Sequence, residues 1–239
     1  MYELAVPSSK ASVYLRLGRV SNLPTVWTNV IAAIVLSGER LDASSVLPLL
    51  LAISCFYIGG MFLNDAFDRE FDLRARPDRP IPAGLISPRE VFAVGFLLLF
   101  LGWAIVTLRG GTEHLHGAQA ALALFVAIVL YDASHRHALA PFIMGACRGL
   151  VYLTVALTVV NGVRSPLLVG ALLITVYVAA LSFVAKRSPG SHRVVATLIA
   201  GIALLDALLV LSQGHPAIAA LTALGFPLTV LSQRWIRGT

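Results

Sequence analysis

The sequence has little charge. Asp, Glu, Lys and Arg make up 13% of its 239 residues, whereas 58% are hydrophobic and the mean hydropathy is +0.84. A soluble domain carries about a quarter charged residues, so this composition excludes one and predicts a chain that uses lipid as its solvent. The first twenty residues lack a compact apolar core before a small-residue cleavage site. We therefore expect no cleaved signal peptide and a first apolar helix that is retained.

The chain is equally poor in cysteine. Its two cysteines, Cys55 and Cys147, both lie within apolar runs, which argues against a disulfide framework and predicts buried free thiols. The net charge of +6 is compatible with nucleic acid binding, but in such an apolar sequence it is better explained by cytoplasmic loops that face anionic lipid. We therefore expect a lipid bilayer, and no nucleic acid, as a partner.

Long apolar runs, by contrast, are abundant. Because a helix needs about twenty residues to cross a bilayer, and because no segment shows the alternation of a barrel strand, these runs predict an all-α polytopic membrane protein. Gly59 and Gly60, in the second run, predict close packing against a neighbouring helix. The eight predicted spans cover residues 22–37, 47–66, 91–108, 118–134, 139–161, 166–185, 194–212 and 216–233.

Positive charge is distributed unevenly between the two ends of these spans. With the N-terminus inside, fourteen lysines and arginines fall in inner segments, whereas the outer loops carry only Arg40, Arg109 and Arg164. This bias predicts an integral inner or plasma membrane protein with both termini in the cytoplasm. No linker is evident, so we expect a single domain over residues 1–239, with a short cytoplasmic segment at residues 1–20.

Five of the twelve acidic residues gather in one stretch, FLNDAFDREFDLRARPDRPIPAG at residues 62–84. Asp65, Asp68 and Asp72 are spaced i, i+3, i+7, which places three carboxylates on one helix face with Asn64 beside them. A cation would offset their mutual repulsion near a membrane, and oxygen donors without His or Cys suit Mg²⁺. The pattern predicts these three aspartates as metal ligands and catalytic residues for a diphosphate at the cytoplasmic face. The alternative is a solvated charged loop whose arginines pair locally.

The same residues resemble a known family. NDAFDREFD, at residues 64–72, resembles the N-D-x-x-D-x-x-x-D motif of the UbiA superfamily of intramembrane prenyltransferases. RPDRPIPAG, at residues 76–84, is similar to that family's R-P-x-R-P-[IL]-x-x-G loop. RLGRVSNLPTVWTNVIAA, at residues 16–33, resembles the approach to the family's first helix, and YDASHR, at residues 131–136, lies where the family has a Tyr-x-x-x-Lys element.

The resemblance implies a UbiA-like bundle of about eight transmembrane helices around a central cavity. In that family Mg²⁺ and two aspartate-rich motifs bind an isoprenyl diphosphate, which ionises to an allylic cation and passes its prenyl group to an aromatic or other lipophilic acceptor. By this match the residues of the first motif, Asn64 included, would hold the metal and the diphosphate. Arg79 and Arg136 would contact the diphosphate.

Two features depart from the family pattern. The family usually has nine helices where we count eight, and its second motif, D-x-x-x-D, is missing. The corresponding stretch, YVAALSFVAKRSPGSHR at residues 177–193, contains no acid and carries Lys186 and Arg187 instead. These two, with Arg136 and Arg148, would then hold the diphosphate in place of a second metal ion. The chain is most similar to the divergent EboC-type UbiA-like branch.

Charged residues within the spans leave two interpretations open. Asp132 and Arg148 lie in adjacent spans and form either a structural ion pair or part of the cavity wall, with Arg148 facing a phosphate or an acidic group of the acceptor. Asp206, alone in the seventh span, is expected to be paired within the bundle. Tyrosines within the spans either stabilise a cation through their ring faces or serve as packing residues or interface anchors. The candidates are Tyr57, Tyr131, Tyr152 and Tyr177. Tyr131 is included with the predicted substrate-binding residues.

Two functions remain from different classes. The leading hypothesis is a Mg²⁺-dependent prenyltransferase that uses an isoprenyl diphosphate and a lipophilic acceptor. The alternative, favoured by the missing second motif, is a non-catalytic isoprenoid- or metabolite-binding or transport protein with the same fold. A phosphatidyl-type alcohol transferase is excluded, because NDAFDRE lacks the glycine and alanine of a D-G-x-x-A-R element. The acceptor, the prenyl chain length and the oligomeric state are left open by the sequence.

Overall fold

The protein is built from α-helices. The structure, a computed structural model, describes residues 9–111, 115–134, 137–160, 162–187 and 191–236, and within these ranges it contains no strand. Apart from one 3₁₀ turn at Val20–Asn22, the elements in chain order are α1 (Lys10–Leu17), α2 (Leu23–Leu36), α3 (Ala43–Phe67), α4 (Arg69–Ala75), α5 (Pro88–Gly110), α6 (Leu115–Ser134), α7 (Ala140–Val159), α8 (Ser165–Arg187), α9 (His192–Ser212), α10 (Pro216–Ala223) and α11 (Gly225–Trp235).

The predicted spans are present as helices. Within the described ranges, seven segments are long and apolar enough to cross a membrane: α3, the five helices α5 to α9, and Pro216–Trp235, which comprises α10 and α11. The eighth is the shorter apolar helix Val20–Leu36. The last span is interrupted at Leu224, a feature that the sequence prediction missed. Pro227 lacks an N–H and its ring clashes with the carbonyl four residues back, so α10 cannot continue straight into α11.

The short helix α2 lies in the middle of the bundle. Eleven of its fourteen residues are buried, and it contacts α3, α7, α8, α9 and α11. A helix that is apolar on all sides is stable when protein surrounds it. Because its neighbours shield it, α2 need not present a full membrane-spanning length to lipid.

The outer helices expose large apolar side chains. Leu108 is 82% exposed, and Leu97, Phe100, Leu172 and Leu208 are each more than half exposed. In water an apolar surface of this extent would favour aggregation, whereas in a bilayer it contacts the acyl chains. The chain is therefore an integral membrane protein.

Helix α1 packs against the end of α3 that carries the acidic motif. Val13 is buried together with Phe62 and Val91, and the Tyr14 hydroxyl donates to Oε1 of Glu90 at 2.6 Å. The side chain of Ser9 caps the start of the helix. This packing fixes the segment that leads into the functional site.

Helices α3 and α5 pack closely through glycines, as the sequence predicted. A Cβ placed on Gly59 would lie 2.8 Å from the carbonyl oxygen of Gly95 and 3.0 Å from Cδ2 of Leu99. One on Gly95 would lie 2.8 Å from the side chain of Leu63. Small residues at a helix crossing let the backbones approach and gain dispersion contacts.

We expect Gly59→Val to lower the unfolding temperature of the detergent-purified protein, because overpacking this crossing costs about 1–3 kcal/mol. Gly162→Val is the matched control, since a Cβ at Gly162 meets nothing within 4 Å. Thermal unfolding followed by circular dichroism compares the two. Equal midpoints for both variants would contradict tight packing at this crossing.

Candidate functional site

The acidic motif spans the junction between α3 and α4. Asp65 lies in the last turn of α3, Asp68 forms the junction, and Asp72 lies in α4. The backbone stays helical here, since the amide of Asp68 donates to the carbonyl of Asn64 at 3.0 Å and the amide of Asp72 donates to that of Asp68 at 2.9 Å. Asp65 and Asp68 are 7% exposed and Asp72 is 1% exposed. These three side chains are therefore not solvated, but the local arginine pairing of the alternative is present, because Arg76 and Arg79 both pair with Asp72.

Arg79 joins two of the buried carboxylates. It belongs to the turn that follows α4, and its Nη1 donates to Oδ1 of Asp65 at 3.2 Å and to Oδ2 of Asp72 at 2.7 Å. The amide of Ala83 donates to the Arg79 carbonyl at 2.9 Å, which closes the turn, and Pro80 restricts its backbone. The loop that resembles the family's R-P-x-R-P-[IL]-x-x-G element therefore folds back onto the acidic motif.

Arg19 is a site residue that sequence reasoning missed. Its Nη2 donates to Oδ1 of Asp65 at 3.0 Å and to Oδ1 of Asn64 at 3.4 Å. Its backbone has a φ of 43°, in the left-handed region that a non-glycine residue rarely adopts. This conformation turns the chain between α1 and α2 and presents the guanidinium to α3. The one sequence signal was the RLGRVSNLP stretch, whose arginines counted only toward the charge bias.

The carboxylates are close enough to influence each other. Burial raises the pKa of Asp72 above its ordinary value, the guanidinium of Arg79 lowers it, and the charges of Asp68 and Asp65 raise it again; the net shift is upward. This crowding of carboxylates is the condition that a bound cation relieves.

A cavity opens beside the motif, between α3, α6 and α7. It measures about 90 Å³ and is mostly apolar, with Tyr57, Tyr131, Asp132, Cys147 and Arg148 among its lining residues. The structure thus brings three predicted substrate-binding residues, Tyr131, Asp132 and Arg148, to one wall. The cavity meets the acidic motif where Nδ2 of Asn64 donates to Oδ1 of Asp132 at 3.3 Å.

The structure distinguishes between the two interpretations of Arg148. Its Nη1 donates to Oδ1 of Asn29 at 2.6 Å, and its guanidinium lies over the Tyr57 ring, 5.7 Å from the centroid. It is therefore on the cavity wall and is not ion-paired with Asp132.

Asp206 accepts hydrogen bonds from Nδ2 of Asn29 and from the Tyr152 hydroxyl, which confirms that it is paired within the bundle.

Two predicted diphosphate contacts are not brought to this cavity. Lys186 and Arg187 are exposed at the end of α8, and Nζ of Lys186 donates to the carbonyl of His137 at 3.2 Å. Neither lines the cavity. Arg136 lies outside the described residues.

Among the candidate tyrosines, Tyr177 donates to the carbonyl of Leu198 at 2.8 Å and so has a packing role.

The donor set fits Mg²⁺ in its chemistry, because it consists of carboxylate and amide oxygens. Buried Oδ1 of Asp72 has no hydrogen-bond partner, and Arg76 lies 3.8 Å away. In the part of the chain that the structure describes, no group of three or more His, Cys, Asp or Glu side chains is placed to hold a metal ion. Arg19 and Arg79 instead bind oxygens of Asp65 and Asp72. Metal binding at this motif would require those contacts to open.

Comparison with known proteins identifies relatives. The UbiA prenyltransferase family matches residues 24–237. Over 99 residues the chain is 41% identical to a digeranylgeranylglyceryl phosphate synthase of Methanopyrus kandleri, which covers 40% of this chain and 36% of that protein. Over 154 residues it is 29% identical to a protoheme IX farnesyltransferase of Bacillus pumilus, which covers 62% and 50%. These alignments thus span half or less of each relative.

Solved structures share the fold. A UbiA homologue from Aeropyrum pernix K1 superposes with a TM-score of 0.61 at 17% identity, over 90% of this chain and 88% of that one. A UbiA homologue from Archaeoglobus fulgidus bound to DMAPP and Mg²⁺ gives a TM-score of 0.58 at 15% identity, over 91% and 86%. At this identity the likeness is one of fold alone.

Arg79→Gln is expected to destabilise the protein by about 2–4 kcal/mol, because it leaves the buried Asp72 carboxylate without its closest cation. Arg74→Gln is the control, since Arg74 is exposed on α4, the short helix that carries Asp72. Denaturant unfolding in a mild detergent measures both.

Asp72→Asn in the Arg79→Gln background should recover part of this loss, because it removes the stranded charge. If Arg79→Gln were no more destabilising than Arg74→Gln, the pairing of Arg79 with the buried carboxylates would contribute no stability.

Proposed function

The chain belongs to the UbiA prenyltransferase family, and we propose that it moves an isoprenyl group from an isoprenyl diphosphate to a lipophilic acceptor at the cytoplasmic membrane face. In this reaction the bond between the allylic carbon and the diphosphate oxygen breaks, and its electron pair leaves with pyrophosphate. The allylic carbon then bonds to the acceptor, which loses a proton. The products are a prenylated acceptor and pyrophosphate.

One observation carries the proposal: a buried acidic motif adjoins a mostly apolar cavity. Asn64 contacts the motif through Arg19 and the cavity wall through Asp132. A diphosphate at the motif could therefore extend its isoprenyl tail among the apolar lining residues. An isoprenyl diphosphate has a charged head and an apolar tail, and it needs both of these surfaces.

The chain's own residues supply three requirements of ionisation. Arg19 and Arg79 pair with carboxylates of the motif, and on release from Asp65 and Asp72 they can stabilise the leaving pyrophosphate. Tyr131 lines the cavity, and we propose that its ring stabilises the allylic cation. The apolar lining keeps water from capturing it.

We propose Mg²⁺ as the cofactor, with Asp65, Asp68 and Asp72 as its ligands. When bound there it would supply positive charge toward the diphosphate oxygens. Beyond Asp132 the chain has one acid, Asp206, and hydrogen bonds hold that carboxylate in the bundle. We therefore propose a single aspartate-rich metal site. Lys186 and Arg187 keep only a sequence-based prediction of diphosphate contact.

The missing second motif also favours a second candidate function. A protein that binds an isoprenyl diphosphate at one motif, and lacks the charge needed to ionise it, would carry or store the lipid. This candidate shares the fold and the first site with the prenyltransferase, and differs only in whether the bond between the allylic carbon and the diphosphate oxygen breaks.

Two further expectations from the sequence stay predictions: the single-domain organisation and the assignment to the EboC-type branch.

Purified protein in nanodiscs, given Mg²⁺ and a panel of allylic diphosphates, is expected to release pyrophosphate. Asp65→Asn and Asp68→Asn should each reduce that release by about 100-fold or more, the range for loss of an electrostatic group that stabilises a transition state. Asp78→Asn is the control, because Asp78 is exposed in the adjoining loop and should leave the rate unchanged.

Diphosphate binding measured on the same samples separates the two candidates. Binding without release across the panel, with aromatic and isoprenoid acceptors added, would support the carrier. Absence of both would exclude the diphosphate site.

We also expect both termini to face the cytoplasm. Fusions of the C-terminus to a fluorescent protein that matures only in the cytoplasm should fluoresce, whereas fusions to a periplasmic phosphatase should be inactive. The opposite pattern would place the acidic motif on the outer face of the membrane.

A further inference from the structure

The last helix, α11, reaches the segment that carries Arg19. Because α11 is separate from α10, it takes its own direction, and it contacts the 3₁₀ turn Val20–Asn22 as well as α2 and α9. Gln233, in the last turn of α11, donates through Nε2 to Oδ1 of Asn22 at 2.9 Å and to the carbonyl of Ala196 in α9 at 3.3 Å. This one side chain therefore joins α9 and α11 to the turn that follows Arg19.

From Asn22 a chain of hydrogen bonds continues to the backbone of Arg19. Nδ2 of Asn22 donates to the Tyr57 hydroxyl at 3.2 Å, and that hydroxyl donates to the carbonyl of Arg19 at 3.4 Å. The backbone amide of Asn22 also donates to the Arg19 carbonyl, at 3.0 Å. Each donor in this chain points away from Gln233 and toward Arg19, so polarisation along the chain strengthens the successive bonds.

The backbone of Arg19 needs such support. Its φ of 43° is strained for a residue with a side chain, yet this conformation brings the guanidinium to Asp65 and Asn64. A strained conformation persists only where the contacts around it hold it in place. Asn22 is 3% exposed, so water does not readily replace a partner that its side chain loses. Loss of the Gln233 amide would therefore loosen the turn that aims the Arg19 guanidinium.

We propose that Gln233 is a positioning residue that sets the geometry of Arg19 at the acidic motif. The Gln233 N–H group fixes Oδ1 of Asn22 on its own side, which turns Nδ2 of Asn22 toward Tyr57 and so holds the Arg19 carbonyl. The assignment rests on the proposed function, in which Arg19 stabilises the leaving pyrophosphate. It makes α11, a helix remote from the motif in the chain, part of the apparatus that ionises the diphosphate.

The first test separates hydrogen-bond donation by Gln233 from the size of its side chain. Pyrophosphate release from geranyl diphosphate is measured in nanodiscs with Mg²⁺. Gln233→Met keeps the length of the side chain but cannot donate, so kcat should fall about 3- to 10-fold, the range for loss of a neutral hydrogen bond, while KM changes less. Gln233→Lys, which can donate to Oδ1 of Asn22, should keep more of the rate. Gln213→Met, the same change at the opposite end of α9, is the control and should leave the rate unchanged.

A double-mutant cycle shows whether Gln233 acts through Arg19. Arg19→Gln should lower kcat more than Gln233→Met does, because it removes a charged group. In the Arg19→Gln background, Gln233→Met should have no further effect, since no guanidinium remains to be positioned. Additive effects would overturn the proposal, because independent defects add. If Arg19→Gln did not fold, a kcat of Gln233→Met equal to that of the unsubstituted protein would overturn it, and so would a Gln233→Lys rate as low as that of Gln233→Met.

Thermal unfolding tests the same role without any reaction. A cycle of Arg19→Gln and Asp65→Asn gives the part of the unfolding midpoint that depends on the pairing of these two side chains. This coupling should fall by half or more when the cycle is repeated in the Gln233→Met protein, and an unchanged coupling would overturn the positioning role. Absence of pyrophosphate release from the unsubstituted protein, with the coupling reduced as expected, would overturn the proposed function alone.

Discussion

The structure around the site depends on neutralising a buried carboxylate. Asp65 sits at the end of a membrane-embedded helix, where an isolated charge would be very costly, and Arg19 and Arg79 both donate to its Oδ1. Those arginines come from opposite sides in the chain, one before α2 and one after α4. The hydrogen bonds to this one carboxylate therefore connect the segment before α2, the end of α3 and the loop after α4.

The cost of that arrangement is visible in the backbone. Arg19 adopts a left-handed conformation that a non-glycine residue rarely takes, and the packing of α1 against Phe62 and Val91 holds it there. The same arginines occupy the oxygens that a metal ion would use. These contacts keep cations next to the place where a diphosphate would arrive.

Charged side chains near the cavity are neutralised in two separate places. At the acidic motif, Asp65 and Asp72 pair with Arg19 and Arg79. Within the bundle, Asn29 links Arg148 to Asp206 by hydrogen bonds. Hydrogen bonds commit Asp206 to this network. The fold matches that of solved UbiA homologues over most of the chain, and fold by itself does not fix function.

The helices and the acidic motif could be predicted from the sequence. Membrane thickness sets the length of an apolar span, and helical periodicity sets the spacing of Asp65, Asp68 and Asp72, so both are local properties that can be read along the chain. Lys186 and Arg187 were predicted as diphosphate contacts because they lie where the family's second motif would be. That stays a prediction, since both side chains are exposed and neither lines the cavity. Two contacts could not be predicted in this way: Arg19 binds Asp65, and Asn29 lies between Arg148 and Asp206. Those contacts join helices far apart in the chain, and which helix faces meet depends on packing across the whole bundle, for which a single sequence carries no local signal.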